Sequence, residues 1–403
     1  MRDAVAPIPR VLLVSRTRYR FPLDGAAARK FAALGEVMTW RMLARGGGPG
    51  GDGRMRLLAR FPAAALDGLV FNLRLPFTLA RELRRTQPDA VVAQDPFAGL
   101  AALIARRLAG KKVPVVVEVH GDWRTATRLY GGRVRRLLAV PGDAAARVAL
   151  RRADAVRAIS NYTAGLAAGV RGSVDAQFPT FLDLAPCTAL PLAPLPEGQV
   201  ALFVGVLERY KNIDGLLAAW KRVHRRLPAA RLRIVGTGSL EREILRAIAL
   251  DDSIEYRASL TRDGVVAALD GSTCLVLPSR SEGMGRIVVE ALARGRPVVA
   301  SMVGGLPELV HDGVNGALVD PDDPDAIADA LVALLQDREL AARLGANGAA
   351  WASTLDTRPT RFAQLLRDLV DVARGPVELP AADDVDELRD AWAGSSSGRA
   401  LRT

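Results

Sequence analysis

Only two cysteines occur in the 403 residues, Cys187 and Cys274. That excludes a disulfide framework and points to buried thiols in a cytosolic protein. The three histidines, His120, His224 and His311, stand too far apart for metal-site spacing, so no metal ion is expected. Long apolar runs are also missing: none reaches the roughly 18 residues of a membrane-crossing helix. The opening stretch from Met1 to Arg10 is polar and broken by proline, unlike a secretory leader. Aromatic residues are scarce at 5%, yet 49% of the chain is hydrophobic, which excludes a disordered polymer and leaves enough apolar material for two domain cores. A complete dinucleotide fingerprint is absent as well. Gly236-Thr237-Gly238 follows an apolar run, but Glu241 stands where the third glycine belongs.

Acidic residues are short in one half only. Residues 1–185 hold 30 Lys and Arg against 14 Asp and Glu, whereas residues 186–403 hold 25 against 30. A basic half calls for an anionic partner: a membrane surface, a phosphorylated acceptor or nucleic acid. The segment from Arg54 to Arg85 mixes arginines with Leu57, Phe61, Leu69, Phe71 and Phe77, a pattern that can lie on an anionic membrane. No nucleic-acid-binding motif accompanies the charge, so that partner is not expected.

Apolar runs alternate with helical periodicity along the whole chain. Arg10–Ser15, Asp89–Gln94, Pro114–Val119 and Ala155–Ser160 read as strands in the first half; Val200–Gly205, Arg231–Val235, Ile254–Tyr256 and Cys274–Pro278 do so in the second. Such alternation predicts parallel sheets covered by helices, with ligands beyond the carboxyl ends of the strands. Asp95, His120 and Asp122 fall at such ends, and Asn161-Tyr162-Thr163 is expected to cap a helix. Prolines at 179, 186, 191, 194 and 196 mark a linker. The expected division is 1–185, a linker at 186–198, a second domain at 199–357, a final helix at 358–374 and a partly disordered tail at 375–403. Gly46 to Gly53 is expected to be a mobile loop.

The densest chemistry lies in Ser279-Arg280-Ser281-Glu282-Gly283-Met284-Gly285-Arg286-Ile287-Val288-Val289-Glu290. A strand, a glycine-rich turn and a helix start combine unpaired N–H groups with the positive end of a helix dipole, a site for an anion. Glu282 and Glu290 flank it, and carboxylates suit vicinal hydroxyls. Arg209 and Lys211 follow another strand end, where Arg can grip a phosphate bidentately and Lys adds a compact charge. The ligand suggested is a sugar at one end, a phosphate in the middle and a ribose beyond.

The Glu-x7-Glu spacing from Glu282 to Glu290 continues into Ala291-Leu292-Ala293-Arg294-Gly295-Arg296-Pro297-Val298-Val299-Ala300. Gly304-Gly305-Leu306-Pro307-Glu308 and Asp312-Gly313-Val314-Asn315-Gly316 follow. This stretch resembles the signature of retaining group-1, GT4-like glycosyltransferases. The resemblance implies an α/β GT-B fold: two Rossmann-like parallel-sheet domains facing a central cleft. It implies a sugar transferase that uses a nucleoside-diphosphate sugar as donor, with no tightly bound cofactor. The acceptor would be a glycan, a lipid-linked or phosphorylated molecule or a small molecule. The site it implies has His120, Glu282, Arg209 and Lys211 in catalysis. Gly205, Gly236, Gly238, Gly283, Met284, Gly285, Arg286, Ile287 and Glu290 would line the donor, with Glu290 on the ribose. The family's Gly-Gly pair in the first loop is missing; only Asp24-Gly25 stands near it. A sugar-nucleotide epimerase or a phosphorylase on the same scaffold, or a non-catalytic sugar-nucleotide or glycan binder, are the alternatives. A cytoplasmic location is expected, with peripheral contact on the cytoplasmic face of an anionic membrane as its extension.

Overall fold

The computed structural model describes residues 8–19, 21–23, 25–46, 53–58, 64–125 and 139–375, with backbone alone at 64–69 and 139. Asp24, most of the Gly46–Gly53 loop, Arg60, Phe61, the Leu69 side chain and the tail beyond Gly375 lie outside the described side chains or residues. Two compact units emerge. Among the described residues the first holds 8–124, 139–183 and 357–375, and the second is built on 184–356.

The first unit is a seven-stranded parallel sheet. Its strands are β1 (Arg10–Tyr19), β2 (Thr39–Gly46), β3 (Met55–Leu58), β4 (Ala90–Ala93), β5 (Val115–Val119), β6 (Ala155–Ala158) and β7 (Ala176–Gln177), in the order β3-β2-β1-β4-β5-β6-β7. Strands buried on both faces read as continuous apolar runs rather than alternating ones, which is why Val115–Val119 and Ala90–Ala93 carry almost no polar residue. The two-residue period still sorts their side chains. Leu12, Val14, Val91, Val115, Val117 and Val119 face a core shared with the helices Ala64–Thr86, Pro96–Ala109, Ala139–Arg152 and Asn161–Arg171. Val11, Leu13, Ala90, Val92 and Val116 face the opposite core, made with the helices Gly25–Val37 and Pro359–Arg374. The final helix thus belongs to the first unit, seating Phe362, Leu366, Leu369 and Val370 against its sheet.

Local capping corrects two expectations. The helix Asn161–Arg171 is capped by Ser160, whose side chain accepts from the Thr163 N–H while the Thr163 hydroxyl accepts from the Ser160 N–H. Asn161 is the first helical residue, not the cap. Asp95 likewise serves as an N-cap, accepting from the N–H groups of Phe97 (2.8 Å) and Ala98 (2.9 Å) while Arg16 lies 3.2 Å away. This strand-end carboxylate is committed to its helix.

The second unit is a six-stranded parallel sheet of β8 (Val200–Val204), β9 (Arg231–Val235), β10 (Ile254–Arg257), β11 (Cys274–Leu277), β12 (Val298–Ser301) and β13 (Gly316–Val319). Their order is β10-β9-β8-β11-β12-β13, so the winding reverses between β8 and β11. In a sheet of this kind the reversal opens a crevice past the carboxyl ends of those two strands. Cys187 and Cys274 are both buried and neither is in a disulfide, and burial pushes the pKa of the Cys274 thiol up to about 12.

The proline-rich stretch is held against the second unit by arginines. Arg294 and Arg296 are each 1% exposed. Arg294 donates to the Cys187 carbonyl (2.8 Å), Leu190 (2.9 Å) and Pro191 (2.8 Å), and pairs with Asp270. Arg296 donates to Ala193 and Pro194 (3.0 Å each). Proline offers a carbonyl but no N–H, so a buried proline-rich segment is rich in acceptors, and a guanidinium brings five donors.

Candidate functional site

Beyond β8 and β11 the chain makes two loops that meet. After β8, a single 3-10 turn, Arg209–Lys211, leads into Asn212 and the helix Ile213–Arg226. Asn212 has φ 57°, and its side chain accepts from the Gly215 N–H, so one residue both turns the chain and caps the helix. After β11 comes the loop 278–285, then the helix Arg286–Ala293. That helix begins at Gly285, which has no side chain to cap it, and among the described residues no side chain accepts from its first N–H groups.

Lys211 and Glu282 form an ion pair where these loops meet, with side chains 10% and 16% exposed. The Lys211 ammonium also lies 5.3 Å from the centre of the Tyr210 ring. Behind Glu282 the backbone is tight. The Gly305 N–H donates to the Glu282 carbonyl (3.1 Å). Gly304 adopts φ 60°, and a Cβ there would lie 1.9 Å from that same carbonyl oxygen. Only glycine fits, and its presence sets the position of the Glu282 backbone. Gly283, Met284 and Gly285 are buried beneath the turn, Ile287 is half-buried and Arg286 is exposed at the first position of the helix.

Glu290 sits further along that helix, its side chain 17% exposed, with Arg262 at 3.8 Å. Gly205, Gly236 and Gly238 lie where the loops after β8 and β9 press on each other. Gly236, at φ 145°, would place a Cβ 1.8 Å from the Gly205 carbonyl oxygen. The need for glycine here comes from the protein's own backbone.

Arg209 is placed differently from Lys211. It is exposed and lines a groove of about 1100 Å³ with Ile213, Asp214, Leu217 and Arg280. Among the described residues no ion pair joins it to Glu282. Arg280, passed over as a site residue by sequence reasoning, organises this corner. Its guanidinium binds Asp214 at 2.9 and 3.1 Å and Asp322 at 3.1 Å, its N–H donates to the Tyr210 carbonyl (2.7 Å), and Asp214 holds its proton more tightly than usual. Arg280 thereby ties the Arg209–Lys211 turn to the Glu282 loop. Its place two residues before Glu282 was the available signal.

In the first unit His120 follows β5, its side chain 36% exposed, with Nε2 at 3.2 Å from the Glu118 carboxylate. Glu118 is buried and paired with Arg157, its register partner on β6. Burial favours the neutral acid, but Arg157 and then His120 outweigh it and hold Glu118 ionised, well below its usual range. Asp122, a neighbouring strand-end acid, accepts from the Arg124 N–H (2.9 Å) and the Tyr162 hydroxyl (3.3 Å).

Among the described residues no group of three or more His, Cys, Asp or Glu side chains could hold a metal ion, and no helix is long and apolar enough to cross a membrane.

Comparison with known proteins places both halves of the chain. A family model described as "Glycosyl transferases group 1" matches residues 198–337, and one described as "Glycosyl transferase 4-like domain" matches residues 25–178. The D-inositol 3-phosphate glycosyltransferase of Thermobifida fusca (strain YX) is 36% identical over 181 residues, 40% of this chain and 42% of that protein. The chain thus spans less than half the length of the curated relatives it matches. Among solved structures, the sucrose-phosphate synthase of Thermosynechococcus elongatus is similar with a TM-score of 0.71 at 21% identity, over 90% of this chain and 99% of that one. Anabaena HepE in complex with UDP-glucose gives 0.62 at 17% identity, over 95% and 100%. At such identities these two establish likeness of fold.

Proposed function

The chain belongs to the group-1, GT4-like glycosyltransferases of GT-B type, and from that premise we propose that it transfers a sugar from a nucleoside-diphosphate sugar to an acceptor with retention of anomeric configuration. One observation carries the reading: the Lys211–Glu282 pair stands beside the uncapped helix start at Gly285, at the reversal point of the second sheet.

In this proposal an incoming diphosphate competes with Glu282 for Lys211. The ammonium and the first N–H groups of the helix Arg286–Ala293 then face the charge that grows on the leaving diphosphate. Arg286, exposed at that helix start, and Arg209, exposed on the adjoining turn, are further cations that the diphosphate can recruit. Glu282, released from Lys211, accepts hydrogen bonds from the sugar hydroxyls. Glu290 takes the ribose hydroxyls. His120 contacts the transferred sugar. Attack and departure on one face of the sugar would retain configuration without a protein nucleophile.

The HepE structure holds UDP-glucose, and the curated relative is named for an inositol phosphate. For this chain we take uridine-diphosphate sugars as the first donors to try, and a phosphorylated or lipid-linked acceptor. A thermal-shift screen of nucleoside diphosphates and their sugars, followed by an assay of diphosphate release with acceptor, tests the reading. A donor that binds the native state raises the melting temperature by mass action. Binding without turnover would favour the non-catalytic alternative. No shift with any sugar nucleotide would end the proposal.

Peripheral docking on anionic lipid is its companion. Leu73, Phe77, Arg81 and Arg84 share one stripe of the helix Ala64–Thr86, and Ile104, Arg107 and Leu108 are exposed on the neighbouring helix Pro96–Ala109. Glu82, the one acidic side chain described on these two helices, is buried against Arg56 and Arg85. A surface of apolar and cationic groups suits anionic headgroups above acyl chains. Sedimentation with phosphatidylserine vesicles should carry the protein down, and neutral vesicles should not. Equal recovery in both supernatants would end this part.

A further inference from the structure

We infer that Glu118 is a positioning residue: its buried carboxylate fixes His120 in the tautomer that carries a proton on Nε2 and keeps Nδ1 free as a hydrogen-bond acceptor for a hydroxyl of the transferred sugar. The functional meaning rests on the proposed sugar contact of His120; the geometry stands without it.

Nothing in the needs of a buried parallel strand accounts for Glu118. It interrupts Val115-Val116-Val117-Glu118-Val119, a strand buried along its whole length. A lone carboxylate in such a place costs several kcal/mol, so it needs partners for both oxygens. Oε1 accepts from Arg157, and Oε2 lies 3.2 Å from His120 Nε2.

Arg157 leaves the acid no room to move. It is 1% exposed and donates to the Phe178 carbonyl at 3.0 and 3.3 Å. Its guanidinium carbon lies 3.9 Å from the centre of the Phe178 ring and 5.3 Å from that of Phe362 on the final helix. The helix Pro359–Arg374 therefore belongs to the network that ends at His120.

An ionised carboxylate can only accept. Nε2 of His120 is therefore the donor, and in a neutral imidazole the other nitrogen then has a lone pair and no proton. Among the described residues no group bonds to Nδ1 of His120. A bare lone pair at a strand end selects an O–H donor, such as a sugar hydroxyl, over a carbonyl or phosphate oxygen.

Replacing Glu118 by glutamine should reverse the arrangement. The amide oxygen stays with Arg157, which can only donate, so the NH2 turns to His120. Nε2 must then accept, and the proton moves to Nδ1. The analogous change of carboxylate to amide beside a catalytic histidine leaves the wrong tautomer in serine proteases.

The test is a long-range 1H–15N NMR spectrum of the full chain labelled at histidine, taken where the imidazoles are neutral. Substitution of each of the three histidines in turn assigns the signals. The expected result is a proton on Nε2 of His120 in the parent and on Nδ1 in Glu118→Gln. One tautomer in both proteins, or Nδ1–H already in the parent, overturns the inference. If the melting curve shows Glu118→Gln to be unfolded, Glu118→Asp takes its place. Its carboxylate keeps the charge but stops one methylene short, so the His120 signals should move toward exchange-averaged values, and an unchanged pattern overturns the inference. In turnover, Glu118→Gln should lower kcat by about tenfold or more, the scale of a lost hydrogen bond, and cost nothing further in a His120→Ala background. Equal losses in both backgrounds overturn it. A parent chain that transfers no sugar would defeat the proposed function alone, since the tautomer is measured without substrate.

Discussion

Each unit carries a carboxylate–cation pair, on the neighbouring strands β5 and β6 in the first and on the loops after β8 and β11 in the second, and the pairs differ in access. In the first unit Glu118 and Arg157 are 4% and 1% exposed in their side chains and shut in by carbonyls and aromatic rings. In the second, Lys211 and Glu282 keep 10% and 16% exposure beside a helix start without a side-chain cap. A closed pair cannot exchange partners, so it can only hold its surroundings in place. An accessible pair can open when a stronger anion arrives. Burial, more than residue type, separates a structural ion pair from one that a ligand can use.

That contrast breaks most directly on stability. Arg157→Ala leaves Glu118 buried without its cation and should cost roughly 3–5 kcal/mol in urea or thermal unfolding. Lys211→Ala should cost far less, because Glu282 can reach water. Equal losses would erase the distinction. The reverse ordering should hold for catalysis: Lys211→Ala should lower sugar transfer by roughly a hundredfold or more, on the scale of a lost donor to developing negative charge. Near-normal turnover by Lys211→Ala would remove Lys211 from the mechanism. Glu290→Ala should abolish donor-induced thermal stabilisation together with transfer.

Gly304→Ala tests how far the open pair depends on its backing. Its Cβ would collide with the Glu282 carbonyl at a positive φ, so a stability loss of about 1–3 kcal/mol is expected, together with weaker donor binding. Donor binding at parent strength would show that the Glu282 loop needs no such support.

Acid sharpens the comparison at smaller scale. Glu118 has a folded pKa below its ordinary 4.5. Its stabilising contribution is therefore complete above that ordinary value and is lost as pH falls from there toward its folded value. Melting temperature followed from about pH 5 down to about pH 2 should fall less steeply in Glu118→Gln than in the parent; parallel curves would contradict the assignment. The smallest effect is expected from Arg209→Ala. An exposed cation without an ion-pair partner among the described residues should cost a few tenths of a kcal/mol in stability, and transfer should fall less than in Lys211→Ala. A larger loss would make Arg209 the leading phosphate ligand.

Much of this was legible beforehand. The strands Val115–Val119, Val200–Val204 and Cys274–Leu277 stand out because strands buried on both faces are written in uninterrupted apolar residues. The Glu282–Glu290 segment was legible because glycine, charge and helix periodicity coincide there. Less visible were the partners. Asp95 resembles a strand-end ligand until its side chain is seen capping the next helix. Gly236 and Gly238 resemble nucleotide-binding glycines, yet each would put a Cβ against backbone of the loop after β8. Arg294 and Arg296 stand in the run that carries the family resemblance, and only the structure shows both buried on the proline-rich stretch.

Residue order alone determined the alternation of strand and helix, the parallel sheets and the run that carries the family signature, because these depend on periodicity and on neighbours a few positions apart. Only the tertiary structure decided that Lys211 meets Glu282 across 71 positions, that Glu118 holds His120 while Arg157 holds Glu118, and that Arg209 stands apart. Those outcomes depend on which charges are left in water and which are enclosed, and enclosure is a property of packed elements far apart in the chain.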